Sequence, residues 1–184
     1  EDVCDRLAET GFVSAAPDVF HRQPVVTDSA VKRAHMIDGQ IVTDIDSTIS
    51  LLQNKNIINP ERIGILGHCM GGRMSLLGAC ADRRIQACVD FYGGNCMVSW
   101  GGHDPTPFER IGDIRCPVLG LFGNEDENPS PGDVDRISAE MNRCDITHEF
   151  HRYDDAGHAF QNFLSDKRYR SKSSADARNK TLTF

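Results

Sequence analysis

Arg62-Ile63-Gly64-Ile65-Leu66-Gly67-His68-Cys69-Met70-Gly71-Gly72 passes from an apolar run into a glycine-rich segment around a single cysteine. Its first half is a compact apolar run preceded by the breaker Asn59-Pro60, and it predicts a strand that enters a glycine-rich turn without any linker. Beyond the turn, Met70 to about Ala81 predicts a helix. A strand, a tight G-x-C-x-G turn and a helix form the layout of a nucleophile elbow in which cysteine takes the place of serine. Such a turn needs small residues two places before and two after the nucleophile, and Gly67 and Gly71 occupy those places.

The same alternation continues on both sides. Upstream, Val3, Leu7 and Ala8 have helical spacing closed by Gly11, and Phe12–Ala16 predicts a buried strand that stops at Pro17-Asp18. A polar loop follows, and then Ile37, Ile41, Ile45, Ile49 and Leu52 place one apolar stripe on a helix from about Ala34 to Gln53. Downstream, strands are expected at Ile85–Tyr92, Pro117–Phe122 and His148–Tyr153. Helices are expected at Ser130–Cys144 and from about Ser173 to Phe184, and a long loop carries the only tryptophan, Trp100. The alternation predicts an α/β fold, a mostly parallel sheet with helices on both faces, as a single domain over 1–184.

With 184 residues the chain suits one ordinary domain, and its 20 Lys+Arg against 27 Asp+Glu give a net charge of −7. An acidic chain with no basic cluster beyond Asp166-Lys167-Arg168-Tyr169-Arg170 does not suit nucleic acid. No apolar run reaches the ~18–20 residues of a membrane span, so a soluble protein without membrane partners is expected. Seven cysteines, an odd number with no C-x-x-C pair, suit a reduced, cytoplasmic protein and offer no structural zinc site. The chain starts at Glu1 rather than Met with helical spacing already under way, so it is expected to begin inside a fold, and the lack of a signal peptide carries no weight.

Ligand sites of parallel sheets collect in the loops after the strands, where the reactive residue types of this chain lie. Cys69 sits at the amino end of the helix from Met70, where free N–H groups and the helix dipole favour a thiolate and the Met70 N–H can serve as an oxyanion donor. The pattern alone also suits a Gly-rich turn around a buried cysteine. A thiol nucleophile needs a base and an acid to orient it, and Asp126 follows the strand 117–122 while His158 follows the strand 148–153. Glu125, Glu127 and Asp133 compete with Asp126 on sequence grounds. His68 is expected as a pocket wall, because neighbouring side chains on a sharp turn diverge. His148 and His151 fall on opposite strand faces, and His21, His35 and His103 are expected in loops or on the surface. Pro129 and Asp135 stand where a calcium loop beginning at Asn124 would need Gly and Glu, so no metal is expected.

Gly67-His68-Cys69-Met70-Gly71-Gly72, Phe91-Tyr92-Gly93-Gly94, Pro117-Val118-Leu119-Gly120-Leu121-Phe122-Gly123 with Asp126, and Asp155-Ala156-Gly157-His158-Ala159-Phe160 together resemble the dienelactone hydrolases, or carboxymethylenebutenolidases. The similarity runs from about Leu7 to Phe184. It implies an α/β-hydrolase fold and a Cys69, His158, Asp126 triad that opens a lactone or ester through a thioacyl-enzyme, with no cofactor. It also implies strands and a loop ahead of Glu1 that carry the second oxyanion amide and a glutamate touching the resting thiol. Arg22 matches the segment holding one of two arginines that grip the substrate carboxylate, whereas Asn162 stands where the other would be, which argues against dienelactone itself. Tyr92, Trp100 and Phe160 are candidate pocket-lining residues. The expected partner is a small lactone or ester, and the expected state a monomer or weak homo-oligomer. Two other classes fit parts of the pattern: an amidotransferase-like, oxidant-sensing elbow cysteine, and a non-catalytic scaffold with the same fold.

Overall fold

The computed structural model describes residues 2–23, 28–102 and 104–184. Residues 24–27 of the polar loop and His103 lie outside the described residues. The chain divides into two compact units, Glu1–Arg62 with Trp100–Asp104, and Ile63–Ser99 with Pro105–Phe184.

The first unit holds α1 (Asp2–Ala8), α2 (Ser29–Ala34) and α3 (Asp38–Asn54). Gly11, at φ +93°, closes the turn after α1 as expected, in a conformation that suits glycine. The expected strand at Phe12–Ala16 does not form. The Phe12 N–H returns to the Leu7 carbonyl at 3.1 Å and the Ser14 hydroxyl to the Cys4 carbonyl at 3.2 Å, so the segment bonds back onto the helix before it. Phe12 and Val13 remain 55% and 50% exposed. Two adjacent bulky residues followed by Ser-Ala-Ala make an apolar run, but a strand exists only where a ladder takes up its backbone groups. The helix expected from Ala34 starts at Asp38, because Met36 and Ile37 leave the helical path after α2. Asp38 and Trp100 then bond reciprocally, the Asp38 N–H to the Trp100 carbonyl and the Trp100 N–H to the Asp38 carboxylate, both at 3.0 Å. The short α2 carries no apolar periodicity; Asp28 caps it by accepting the N–H groups of Ala30 and Val31.

The second unit is a four-stranded parallel sheet in the order β1 (Ile63–His68), β2 (Ile85–Phe91), β3 (Val118–Gly123), β4 (His148–Tyr153). These strands match the sequence expectation to within two residues. α4 (Met70–Ala81) links β1 to β2 and packs on both, as a parallel crossover requires. α5 (Pro131–Arg143) links β3 to β4, and α6 (Ser171–Thr183) follows β4. α5 starts with a capping box in which the Ser130 hydroxyl accepts the Asp133 N–H and the Asp133 carboxylate accepts the Ser130 N–H, with Pro131 inside the first turn. Every β3 residue is buried, as expected of a central strand covered on both faces. Val89, Phe91, Leu119, Leu121, Phe160 and Ala177 form one apolar cluster beneath the carboxyl ends of the strands.

The turn from β1 into α4 is as tight as the sequence implies, though its steric demands fall differently. A Cβ on Gly67 would lie 2.0 Å from the Gly71 carbonyl oxygen, and one on Gly72 would lie 2.2 Å from Asp90 Oδ1 and 2.8 Å from the Phe91 carbonyl. A Cβ on Gly71 would meet nothing within 4 Å. The crowding at Gly71 comes from its carbonyl, not from its side-chain direction. Gly67→Ala is therefore expected to lower stability by about 3 kcal/mol, the upper end of overpacking costs, because its clash is with backbone. Gly71→Ala, within a helix, is expected to be neutral or to gain up to ~1 kcal/mol. Urea denaturation midpoints check both, and a Gly67→Ala protein as stable as Gly71→Ala contradicts the assignment.

Candidate active site

Cys69 occupies the corner between β1 and α4 with φ 58° and ψ −119°, a conformation that non-glycine residues adopt only when the surroundings impose it. The Cys69 N–H donates to the Phe91 carbonyl at 2.9 Å, and its own carbonyl accepts the N–H groups of Gly72 and Arg73 at 3.0 and 3.3 Å. The side chain is exposed at the carboxyl end of the sheet. Met70 is the first residue of α4, so its N–H has no acceptor within the helix and is available beside the thiol. Of the described non-glycine residues with positive φ, three are neither Asn nor Asp: Cys69, Tyr92 and Ala159. They sit at the nucleophile position, at the end of β2 and next to His158, so backbone strain gathers where the reactive groups meet.

The loops after β3 and β4 are laced together. The Glu125 N–H donates to the Ala156 carbonyl at 2.9 Å, and a Cβ on Gly123 would strike that same oxygen at 2.1 Å. α6 holds the second loop from below, since the Ser173 hydroxyl donates to Asp155 at 2.8 Å. This brings His158 Nδ1 to 2.9 Å from Asp126 Oδ2 and His158 Nε2 to 2.9 Å from Cys69 Sγ. The Asp126 side chain is 2% exposed and also accepts the Asn128 N–H at 2.9 Å. A buried carboxylate can only accept, so Nδ1 carries a proton and Nε2 faces the sulfur. The bond to Asp126 first, and then the bond to Cys69, push the His158 imidazole up to about 10 against the opposing effect of burial.

The competing carboxylates are accounted for. Glu125 and Glu127 are exposed, and Asp133 is engaged in the cap of α5. His68 stacks on Phe91 with ring centroids 4.3 Å apart and bonds Gln161 Oε1 through Nε2 at 2.9 Å. The Gln161 amide nitrogen donates to the Ser174 carbonyl at 3.3 Å, which turns Oε1 toward His68 and makes His68 Nε2 the donor. Burial holds the His68 imidazole below its ordinary value, with the Gln161 bond opposing, so His68 is a neutral, fixed neighbour of Cys69. Gln161 was not singled out by the sequence; a lone glutamine in a loop gives no signal. Tyr92 is 3% exposed, meets His158 edge-on at 5.4 Å and accepts the Gln161 backbone N–H. Burial raises its phenol well above the ordinary value, so it stays protonated.

Phe160, expected to line a pocket, is fully buried between Tyr92 and Tyr153, where it supports the core and offers no surface to a substrate. Arg22 and Trp100 belong to the first unit. There Arg22 forms a bidentate pair with Asp44, Nη2 to Oδ1 at 2.6 Å and Nη1 to Oδ2, so both ends of its fork are engaged. Asn162 Oδ1 accepts the Leu164 N–H at 3.1 Å and closes its own turn. His148 bonds Ser138, His151 pairs with Glu149, His21 with Asp44, and His35 bonds the Val31 carbonyl. No three His, Cys, Asp or Glu among the described residues are grouped to hold a metal ion.

Beneath the elbow, the Asp90 carboxylate is buried and accepts the Gly93 N–H at 2.7 Å. Burial pushes it up to about 7, with the Gly93 bond opposing. A carboxyl raised in the folded state contributes stability below its unfolded value, near 4, and that contribution is lost as pH rises through about 7. Asp90→Asn keeps the acceptor and removes the titration. Its stability, measured by urea denaturation from pH 4 to 8, is expected to fall less with rising pH than that of the unsubstituted protein, and parallel curves contradict this.

A parallel sheet whose first-strand elbow presents Cys69, with Asp126 and His158 on the loops after the third and fourth strands, defines an α/β-hydrolase fold. The model of the dienelactone hydrolase family matches residues 1–184, and the chain belongs to that family. It is 30% identical over 167 residues to the "Putative carboxymethylenebutenolidase" of Methylorubrum extorquens, a match covering 87% of this chain and 57% of that protein. The protein of the same name from Synechocystis is 28% identical over 96% of this chain and 75% of its own length. This chain thus spans little more than half of the Methylorubrum relative. The crystal structure of a "Putative Dienelactone Hydrolase" from Klebsiella pneumoniae superposes with a TM-score of 0.90 at 26% identity, covering 99% of this chain and 78% of that one. Among the described residues no helix is long and apolar enough to cross a membrane.

Proposed function

We propose that the protein hydrolyses a lactone or carboxylic ester by acyl transfer to Cys69. The observation that carries this reading is the unbroken line from Cys69 Sγ through His158 to Asp126, two contacts of 2.9 Å each, with the carboxylate buried and the sulfur open to solvent. Cys69 gives its proton to His158 Nε2 as its sulfur attacks the carbonyl carbon, and the Met70 N–H, held at the start of α4, faces the oxygen on which charge develops. As the tetrahedral intermediate collapses, the His158 imidazolium gives its proton to the departing alkoxide. His158 then takes a proton from water, which attacks the thioester and frees the acid. Asp126 keeps the imidazole in the tautomer both steps need.

The substrate class follows from what the described site offers. Asn162, on the loop that carries His158, brings no positive charge, and its side-chain carbonyl accepts the Leu164 N–H in its own turn. A substrate recognised by its carbonyl suits this loop, and a neutral lactone or simple ester fits that description. The naming of the Methylorubrum and Synechocystis relatives as carboxymethylenebutenolidases supports lactone opening as the chemistry.

Cys69→Ala is expected to abolish turnover of a p-nitrophenyl ester and a lactone panel while the melting profile is retained, and undiminished hydrolysis sinks the proposal. Asp126→Asn is expected to reduce kcat/KM by roughly 10²–10⁴-fold through loss of the oriented base. Because His158 must hold a proton for the leaving group, kcat/KM is expected to fall as pH rises through about 10. A loss centred near pH 6.5 would show that Asp126 does not support the imidazolium.

A further inference from the structure

We propose that Asn128 is a positioning residue for Asp126, held in place by the loop after β2, which is itself anchored by the buried Arg73 of α4. Asp126 orients His158 only while its carboxylate keeps one direction. Its Oδ2 meets His158 Nδ1 at 2.9 Å, and its Oδ1 accepts the Asn128 N–H at 2.9 Å. The carboxylate is thus aimed by a backbone donor that belongs to an exposed residue. Exposed turns are mobile by default, so this aim is only as firm as whatever holds Asn128.

The loop after β2 supplies that hold. The Asn95 N–H donates to Asn128 Oδ1 at 3.0 Å, which sets the carboxamide with its oxygen, the one acceptor it has, toward the loop. Gly94 passes so close that a Cβ there would lie 2.4 Å from Asn128 Oδ1 and 2.7 Å from the Asn128 carbonyl oxygen. Asn95 stands at φ 56°, a left-handed conformation that asparagine tolerates, and its carbonyl accepts Arg73 Nε at 3.1 Å. Arg73 Nη2 donates to the Val98 carbonyl at 2.6 Å. The guanidinium is fully buried, and its planar fork spans two carbonyls of one loop, so the loop is held as a unit.

Arg73 is tied in turn to the elbow, since its backbone N–H donates to the Cys69 carbonyl at 3.3 Å. The bonds form a closed circuit. It leaves the Cys69 backbone for Arg73, passes through Asn95 to Asn128, continues to Asp126 and His158, and returns from His158 Nε2 to the Cys69 sulfur. The elbow and the loops after β2, β3 and β4 all meet in it, and the Asn128 side chain is the link between the second and third of these segments. Asn124, on the same loop as Asp126, provides the contrast. Its carboxamide donates to Asp154 and accepts from Arg152, outside the circuit. Two asparagines of one loop thus have separable roles, because only one of them is bonded to the segment that Arg73 fixes.

The test compares the whole chain with Asn128→Ala, Asn128→Asp and Asn124→Ala by p-nitrophenyl ester kinetics, by thermal melting and by the downfield Nδ1–H proton resonance of His158 in NMR. The effect of Asn128 on rate rests on the hydrolase reading, whereas the resonance reports the bond from His158 to Asp126 with no substrate present. Asn128→Ala removes the acceptor for Asn95. It is expected to lower kcat about 10-fold, a part of the roughly 10²-fold that a 1 Å misplacement can cost, with KM and the melting profile little changed. Its Nδ1–H resonance is expected to weaken through exchange with solvent. Asn128→Asp keeps an oxygen toward Asn95 and is expected to restore both signals, and Asn124→Ala is expected to alter neither. An unaltered resonance in Asn128→Ala, or an Asn128→Asp protein as impaired as Asn128→Ala, overturns the role assigned to Asn128. So does ester turnover that needs Cys69 yet is indifferent to Asn128→Ala, a result that leaves the hydrolase reading intact. A resonance that weakens in Asn128→Ala and returns in Asn128→Asp, in a protein that turns over no ester, refutes the hydrolase reading and upholds the role of Asn128.

Discussion

The near-contact of β1 and the first turn of α4, where backbone passes backbone with no room for a Cβ on Gly67, is the constraint from which the rest of the site follows. A chain that turns this sharply cannot relax the residue at the corner, so Cys69 is held at positive φ, pointing out of the sheet and over the start of the helix. Its N–H is tied to Phe91 and its carbonyl to the first turn of α4, so the backbone is fixed while the sulfur meets His158. Gly72 lets the helix close onto Asp90 and Phe91, so the elbow is clamped to its neighbouring strand as well as to itself.

Given that fixed sulfur, the parallel sheet does the remaining positioning. All four strands end at the same side, so the loops after β3 and β4 arrive above the elbow without a long reach. Their mutual bond between Glu125 and Ala156, the hold of α6 on Asp155, and the Gln161 link from His68 to Ser174 remove the freedom that loops ordinarily keep. The electrostatic result is a histidine supported on both nitrogens, by a buried carboxylate and by a thiol. A proton on Nδ1 is thereby held by Asp126, and Nε2 is kept facing the sulfur.

Much of this was legible in the sequence, for reasons that differ element by element. β1, β2, β3 and β4 are short apolar or β-branched runs cut off by glycine, and buried parallel strands must look so; α3 and α5 declare themselves by a single apolar stripe. Cys69 was visible because its chemistry and its turn share one motif. Asp126 was not separable from Glu125, Glu127 and Asp133 by residue type; resemblance favoured it, and the structure distinguishes it by burial beside His158, a property of tertiary packing. Phe12–Ala16 misled because apolar content does not reveal whether a ladder partner is present, and Phe160 because an aromatic near a reactive histidine looks the same from sequence whether it faces the core or the substrate. Gln161 and the short α2 carried no pattern at all.

In the proposed reaction Cys69 forms a covalent bond to the acyl group during hydrolysis. The direct measurement is peptide mass spectrometry on protein quenched with acid while it turns over a slowly hydrolysed ester. A transient mass increase equal to the acyl group is expected on the peptide bearing Cys69, decaying as substrate is exhausted. Continued turnover with that peptide unmodified, or with the acyl group on any other residue, would contradict it.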